Sequence, residues 1–100
     1  MIVDDEANAR AALSEIFREE GYTTETAADG FKALGKLAEF QPDVVLTDLK
    51  MPGLDGIGLM EKAQATQSDA TFVVMTAFGS IGSAVEAVKK GAYHYLTKPL

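Results

Sequence analysis

Cysteine and tryptophan are absent from this sequence, and histidine occurs once, as His94. Without cysteine there is neither a disulfide framework nor a zinc–thiolate site. A lone histidine leaves a transition-metal centre short of its usual ligands, and His94 is given no catalytic role. Long apolar runs are missing too: nothing approaches the roughly 18 to 20 residues needed to cross a bilayer. Met1-Ile2-Val3 runs straight into Asp4-Asp5, so no basic segment leads into an apolar one as in a signal peptide. Basic residues are few, nine Lys plus Arg against fifteen Asp plus Glu, for a net charge of −6. Such a surface repels a phosphate backbone and argues against direct contact with nucleic acid. The expectation is a cytoplasmic chain with no membrane partner.

What is present is a core. Hydrophobic residues make up 47% of the 100 residues, enough for one folded domain with little stability to spare. The three-residue apolar start is short for a central strand, and Thr97-Lys98-Pro99-Leu100 follows the last apolar run without a closing helix. The domain at 1–100 is therefore expected to be incomplete at both ends. Apolar side chains of the first, third and fourth strands are expected to be partly uncovered as a result.

Short apolar runs alternate with amphipathic stretches. Met1 to Val3 reads as the end of a strand. Glu6 to Glu20 reads as a helix with Ala9, Ala12, Leu13, Ile16 and Phe17 at helical spacing and Gly21 past its end. Thr-rich Tyr22 to Ala27 reads as an edge strand. Asp29 caps a helix to about Phe40 that buries Phe31, Leu34, Leu37 and Ala38. Val44 to Thr47 and Phe72 to Met75 are continuous apolar runs, as in strands covered on both faces. Between them, Pro52-Gly53 marks a loop, and Asp55 starts a helix to about Thr66 that uses Ile57, Met60 and Ala63. Met51, Met60 and Met75 read as packing residues. A helix from about Ser80 to Lys90 turns Ile81, Ala84, Val85 and Val88 inward and stops at Gly91. Ala92 to Leu96 is the last strand. Strands that alternate with helices imply right-handed crossovers and an α/β fold, a doubly wound parallel sheet with helices on both faces.

In such sheets a site forms beyond the carboxyl ends of the strands. Asp4 and Asp5 follow the first strand, Asp48 ends the third, Thr76 ends the fourth and Lys98 follows the fifth. Alone, each has an ordinary explanation: a helix cap, a turn aspartate, a strand-end hydroxyl, a solvated charge. Together they place three carboxylates, a hydroxyl and an ammonium along one edge. Three such carboxylates repel one another unless a cation joins them. All-oxygen donors in a shallow site suit Mg²⁺. A carboxylate there can attack phosphorus and form an acyl phosphate, with the metal and Lys98 neutralising phosphoryl charge.

The motifs Ile2-Val3-Asp4-Asp5-Glu6, Asp43 through Gly56, Val74-Met75-Thr76-Ala77 and Tyr95-Leu96-Thr97-Lys98-Pro99 together resemble the receiver domains of bacterial two-component response regulators. The resemblance covers essentially the whole chain. It implies a flavodoxin-like five-stranded sheet in the order 2-1-3-4-5, here stopping before the fifth helix. It also implies that Asp48 is the phosphoacceptor, that Asp5 and Asp48 hold Mg²⁺ with Asp4 acting through water, and that the Lys50 carbonyl is a further metal ligand. Lys98 would contact the phosphoryl group, and Thr76 and Tyr95 would form the switch pair acting on the surface of the fourth helix and fifth strand. A cis Lys98–Pro99 bond and a hydrolytic water flanked by Lys50 and Phe78 belong to the same expectation. The implied partners are a sensor histidine kinase, an output domain beyond Leu100 and, for some relatives, a second copy of the chain. The segments Met75 to Ile81 and Ala84 to Tyr95 are similar to receivers of nitrogen-regulator type, which precede a sigma-54-type ATPase and a DNA-binding domain. A receiver of this kind is not an enzyme beyond its own aspartyl phosphorylation and dephosphorylation.

Three rivals fare worse. A flavodoxin-type cofactor carrier needs a Ser/Thr/Gly phosphate loop where this chain has Asp4-Asp5-Glu6. An aspartate-nucleophile phosphatase usually carries a second Asp two residues after the nucleophile, where Lys50 stands. A receiver kept only for protein interaction has no use for the intact acidic set.

Overall fold

The computed structural model describes residues 1–66, 68–77 and 81–98. The strands are β1 (Ile2–Val3), β2 (Thr26–Ala27), β3 (Val44–Asp48), β4 (Thr71–Thr76) and β5 (His94–Thr97). The helices among the described residues are α1 (Ala7–Glu19), α2 (Gly30–Phe40), α3 (Gly56–Ala65) and α4 (Ile81–Lys89). The expected helix start at Ser80, the place of Phe78 beside the site and the Lys98–Pro99 bond lie outside the described residues.

The strands form one 5-stranded sheet in the order β2-β1-β3-β4-β5, with every pairing parallel. Right-handed crossovers decide the layers. The step from β1 to β2 runs one way along the sheet and puts α1 on one face. The later steps run the other way and put α2, α3 and α4 on the opposite face. The order reverses at β1 and β3, so the crevice beyond their carboxyl ends is the switch point of the sheet.

The main core lies on the three-helix side. Val3, Val45, Phe72 and Val74 project from the sheet into a cluster with Ala33, Leu37, Leu59, Met60, Ala63, Ala84 and Ala87. Met51, Met60 and Met75 are all buried, as packing residues should be. Caps define the helix starts: Asp29 accepts from Lys32 N at 2.8 Å and Asp55 from Gly58 N at 2.7 Å. Each satisfies an amide the helix leaves unpaired.

Several details differ from the sequence reading. The edge strand β2 is Thr26–Ala27 rather than Tyr22 to Ala27, because only those two residues are in register with Ile2 and Val3. The last strand begins at His94, not Ala92. On α1, Ile16 and Ala12 are exposed while Ser14 is buried. On α2, Phe31 and Ala38 face solvent and Ala33 takes the inward place. On α4, Ile81, Val85 and Val88 are exposed and the buried residues are Ala84 and Ala87. On α2 and α4 small residues let the helix lie close to the sheet, so Ala33, Ala84 and Ala87 face inward and Phe31, Ile81, Val85 and Val88 ride at the border. The expectation of uncovered strand residues holds only in part. Ile2, Leu46 and Met75 are buried, whereas Val44 is exposed and Val73 is half-buried.

Candidate functional site

Sheet register alone brings the acidic residues level. Val3 pairs with Thr47, so the next residues, Asp4 and Asp48, stand side by side at the carboxyl ends of β1 and β3. Asp48 is in turn paired with Met75, one residue before Thr76. Thr76 is paired with Thr97, one residue before Lys98. Four strands thus deliver their terminal residues to one line.

Asp4 is fully buried, at 0% exposure. Its amide continues the ladder to Ala27 O at 3.2 Å, after which the chain turns into α1. Asp4 Oδ1 accepts from Glu6 N at 2.9 Å, the short-range bond that aspartate makes at turns. Its carbonyl accepts from Arg10 Nη1 at 2.8 Å. Asp4 Oδ2 accepts from Lys98 Nζ at 3.0 Å, and the same ammonium donates to Asp48 Oδ2 at 3.1 Å. Lys98 is held for this by its own amide, which donates to Thr76 O at 2.8 Å. Burial opposes the Lys98 charge, but hydrogen bonds to Asp4 and Asp48 and the charges of both carboxylates outweigh it, and its pKa is raised.

Asp5 is exposed at the mouth of the site. Asp4, Asp5 and Asp48 each offer a carboxylate oxygen within 4.8 Å of the others. Three oxygen donors and no softer ligand fit a hard divalent cation. Both Asp4 oxygens already carry hydrogen bonds, so Asp5 and Asp48 are the better placed to meet an ion directly.

Comparison with known proteins decides the family. The chain matches the Response regulator receiver domain family over residues 1–100. It is 40% identical to Regulatory protein AtoC of Escherichia coli over 99 residues, which is 99% of this chain and 22% of that protein. It is 37% identical to Sporulation initiation phosphotransferase F of Bacillus subtilis, covering 99% of this chain and 80% of that one. The solved receiver domain of NtrX from Brucella abortus superposes with a TM-score of 0.93 at 33% identity, covering 99% of this chain and 84% of that one. This chain belongs to the response regulator receiver domain family. It spans about a fifth of the length of AtoC and of the NtrC regulators it also matches.

The register and hydrogen bonds bring Asp4, Asp48, Thr76 and Lys98 to this edge, with Asp5 at its mouth; Tyr95 lies deeper. Thr76 is buried, and its hydroxyl lies 3.3 Å from Ala77 O as a donor. Tyr95 is half-buried, paired in register with Val74 one row below Thr76 and packed against the core from β5. Lys50 is exposed on the loop after β3. That loop is closed by Gly56 N donating to Leu49 O at 2.9 Å, and anchored by Leu49 N donating to Met75 O at 2.8 Å.

Sequence reading missed three contributors. Arg10 and the Glu6 amide hold the Asp4 turn from α1. Gly56 lets α3 start directly against the Asp48 backbone: a β-carbon there would lie 2.5 Å from Asp48 O and 3.1 Å from Leu49 Cα. The signal for Arg10 was its place as the first cation on α1, one turn after Glu6. Nothing in the pattern marked Gly56 apart from the other glycines. Among the described residues, no helix is long and apolar enough to cross a membrane.

Proposed function

We propose that this receiver takes a phosphoryl group from a phosphohistidine of a sensor kinase onto Asp48, with Mg²⁺ held by Asp5, Asp48 and the Lys50 carbonyl. Asp4 acts on the ion through water. The observation that carries the reading is the Lys98 ammonium bridging Asp4 and Asp48 from the far end of the chain. An ammonium held there is already within reach of oxygens that would join Asp48.

In the transfer, an Asp48 carboxylate oxygen forms the bond to phosphorus while the bond from phosphorus to the donor imidazole nitrogen breaks. The imidazole keeps that electron pair and takes up a proton. The cation's contribution when bound is to neutralise charge on the phosphoryl oxygens. Lys98 exchanges its Asp48 contact for a phosphoryl oxygen and keeps Asp4. The Thr76 hydroxyl turns from Ala77 O toward the phosphoryl group, and Tyr95 moves into the space released. That shift biases the α4–β5 surface between two states. An output domain outside this chain reads the surface. Its kinship with AtoC and NtrC supports a transcriptional output of sigma-54 type, working in the cytoplasm, with dimerisation as one means of control. The domain's own chemistry is confined to gaining and losing this phosphoryl group.

The test is mass analysis after incubation with acetyl phosphate and Mg²⁺. One phosphoryl adduct is expected, on Asp48, and none in Asp48→Asn. An adduct that survives in Asp48→Asn refutes the assignment.

A further inference from the structure

Helix α2 supplies no residue to the acidic cluster, yet its first two residues touch the loop that leaves Asp48. A β-carbon on Gly30 would lie 2.5 Å from Leu54 O and 2.9 Å from Leu54 Cβ. The next residue, Phe31, lays the edge of its ring 3.3 Å from where a Gly53 β-carbon would stand. Gly53 has φ +79°, a left-handed conformation that glycine adopts without strain, and its missing side chain leaves room for the ring. Phe31 remains 62% exposed, and most of its surface contributes nothing to the core.

The rest of the loop is held at its ends. Leu49 and Met51 are buried, Gly56 N bonds Leu49 O, and Asp55 caps α3. Pro52 and Gly53 form the exposed tip, and the tip is what Phe31 covers. Lys50, whose carbonyl is assigned to the metal, sits three residues before Gly53 on that short loop. Restricting the tip restricts the directions in which the Lys50 carbonyl can point.

From this geometry we infer that Phe31 is a positioning residue for Mg²⁺ binding. Its ring clamps Gly53 and holds the metal-side loop against the start of α2. The inference rests on the proposed site. It adds that α2 is coupled to cation affinity through an exposed aromatic side chain, with no contact to the ion.

The experiment compares parent, Phe31→Ala and Phe31→Leu. Mg²⁺ alone is titrated, read by the amide resonances of Leu49, Lys50, Met51, Gly53 and Leu54. Asp48 labelling by acetyl phosphate is measured across Mg²⁺ concentrations, and the urea midpoint of each protein is recorded. Phe31→Ala should raise the half-saturating Mg²⁺ concentration by about five- to thirtyfold, the scale of ordering one loop residue. The labelling rate at saturating Mg²⁺ and the urea midpoint should stay near the parent's. Phe31→Leu, which keeps apolar contact with Gly53, should recover most of the affinity. Affinity within about twofold of the parent in Phe31→Ala, no recovery in Phe31→Leu, or a loss of affinity that only tracks a lowered urea midpoint would each overturn the inference. A parent that shows no Mg²⁺ response would instead overturn the site assignment beneath it.

Discussion

Replacing Lys98 by methionine tests the centre of the site without emptying it, because methionine keeps most of the lysine stem. The perturbation removes one charge that satisfies two carboxylates, at 3.0 and 3.1 Å. Each contact is worth about 5 kcal/mol of gross attraction at an effective dielectric constant near 20. Desolvation offsets much of that. Losing one partner of a fully buried pair costs about 3–5 kcal/mol, and losing an exposed pair costs about 0–1. The Asp4 side chain is 0% exposed, Asp48 14% and Lys98 27%, so the site falls between these limits, at about 2 kcal/mol. For a domain of this size that corresponds to a Tm lower by roughly 8–16 °C.

The same substitution changes the response to Mg²⁺. In the parent the ammonium and a bound divalent ion would share Asp48, whereas in Lys98→Met the ion alone would offset the repulsion among Asp4, Asp5 and Asp48. Stabilisation by a ligand grows with its affinity for the folded state, so Mg²⁺ should raise the Tm of Lys98→Met by more than it raises the parent's. Thermal denaturation of both proteins with and without Mg²⁺ is the assay. A Tm within about 2 °C of the parent, or equal Mg²⁺ effects in the two proteins, would refute the reasoning.

Gly56→Ala drives a β-carbon to 2.5 Å from Asp48 O; it should cost about 1–3 kcal/mol in urea titration and slow Asp48 labelling, since the nucleophile's own backbone must move. Thr76→Ala should leave acetyl phosphate labelling in place while abolishing the phosphorylation-dependent shift of the Tyr95 ring resonances; a full shift in the variant would remove Thr76 from the switch. The pKa of Glu25 is lowered below its ordinary 4.5, first by the Thr26 amide and then by Lys36. Its contribution is therefore present above pH 4.5 and lost as pH falls through the depressed folded value. Glu25→Gln should accordingly be slightly less stable than the parent at neutral pH, with the two curves converging in acid; a gap that persists in acid would show that the pair is not the cause.

The site was readable in the sequence because of where it sits. Strand runs are the most legible short segments, and Asp4, Asp48, Thr76 and Lys98 each stand at or just past the end of one. A parallel sheet with helical crossovers points all strand ends the same way, so naming the ends names the site. What was not readable depends on approach distance. The stripe on α4 contains both Ala84–Ala87 and Ile81–Val85–Val88, and periodicity ranks them alike or favours the larger set. Only the closeness of helix to sheet selects the alanines. Residues Tyr22 to Glu25 carried threonines suited to a strand, but the ladder closes only at Thr26 and Ala27, where β1 has partners to offer.

The same closeness bears on how the domain could work. Burying a methyl group contributes far less than burying a leucine or isoleucine, so α4 is held to β4 and β5 by a thin apolar contact through Ala84 and Ala87. Its larger side chains, Ile81, Val85 and Val88, are only partly covered, at 41%, 40% and 38% exposure. The acidic edge is the reverse case. Asp4 is buried, tied to Glu6, to Arg10 through its carbonyl and to Lys98, while α3 starts hard against Asp48 O at Gly56. A rearrangement begun at Asp48 would meet resistance on the β1 and α3 sides, whereas α4 is held inward by alanines alone. Thr76 ends β4, the strand beside Asp48, and Tyr95 lies on β5 next to it, so both stand between Asp48 and α4.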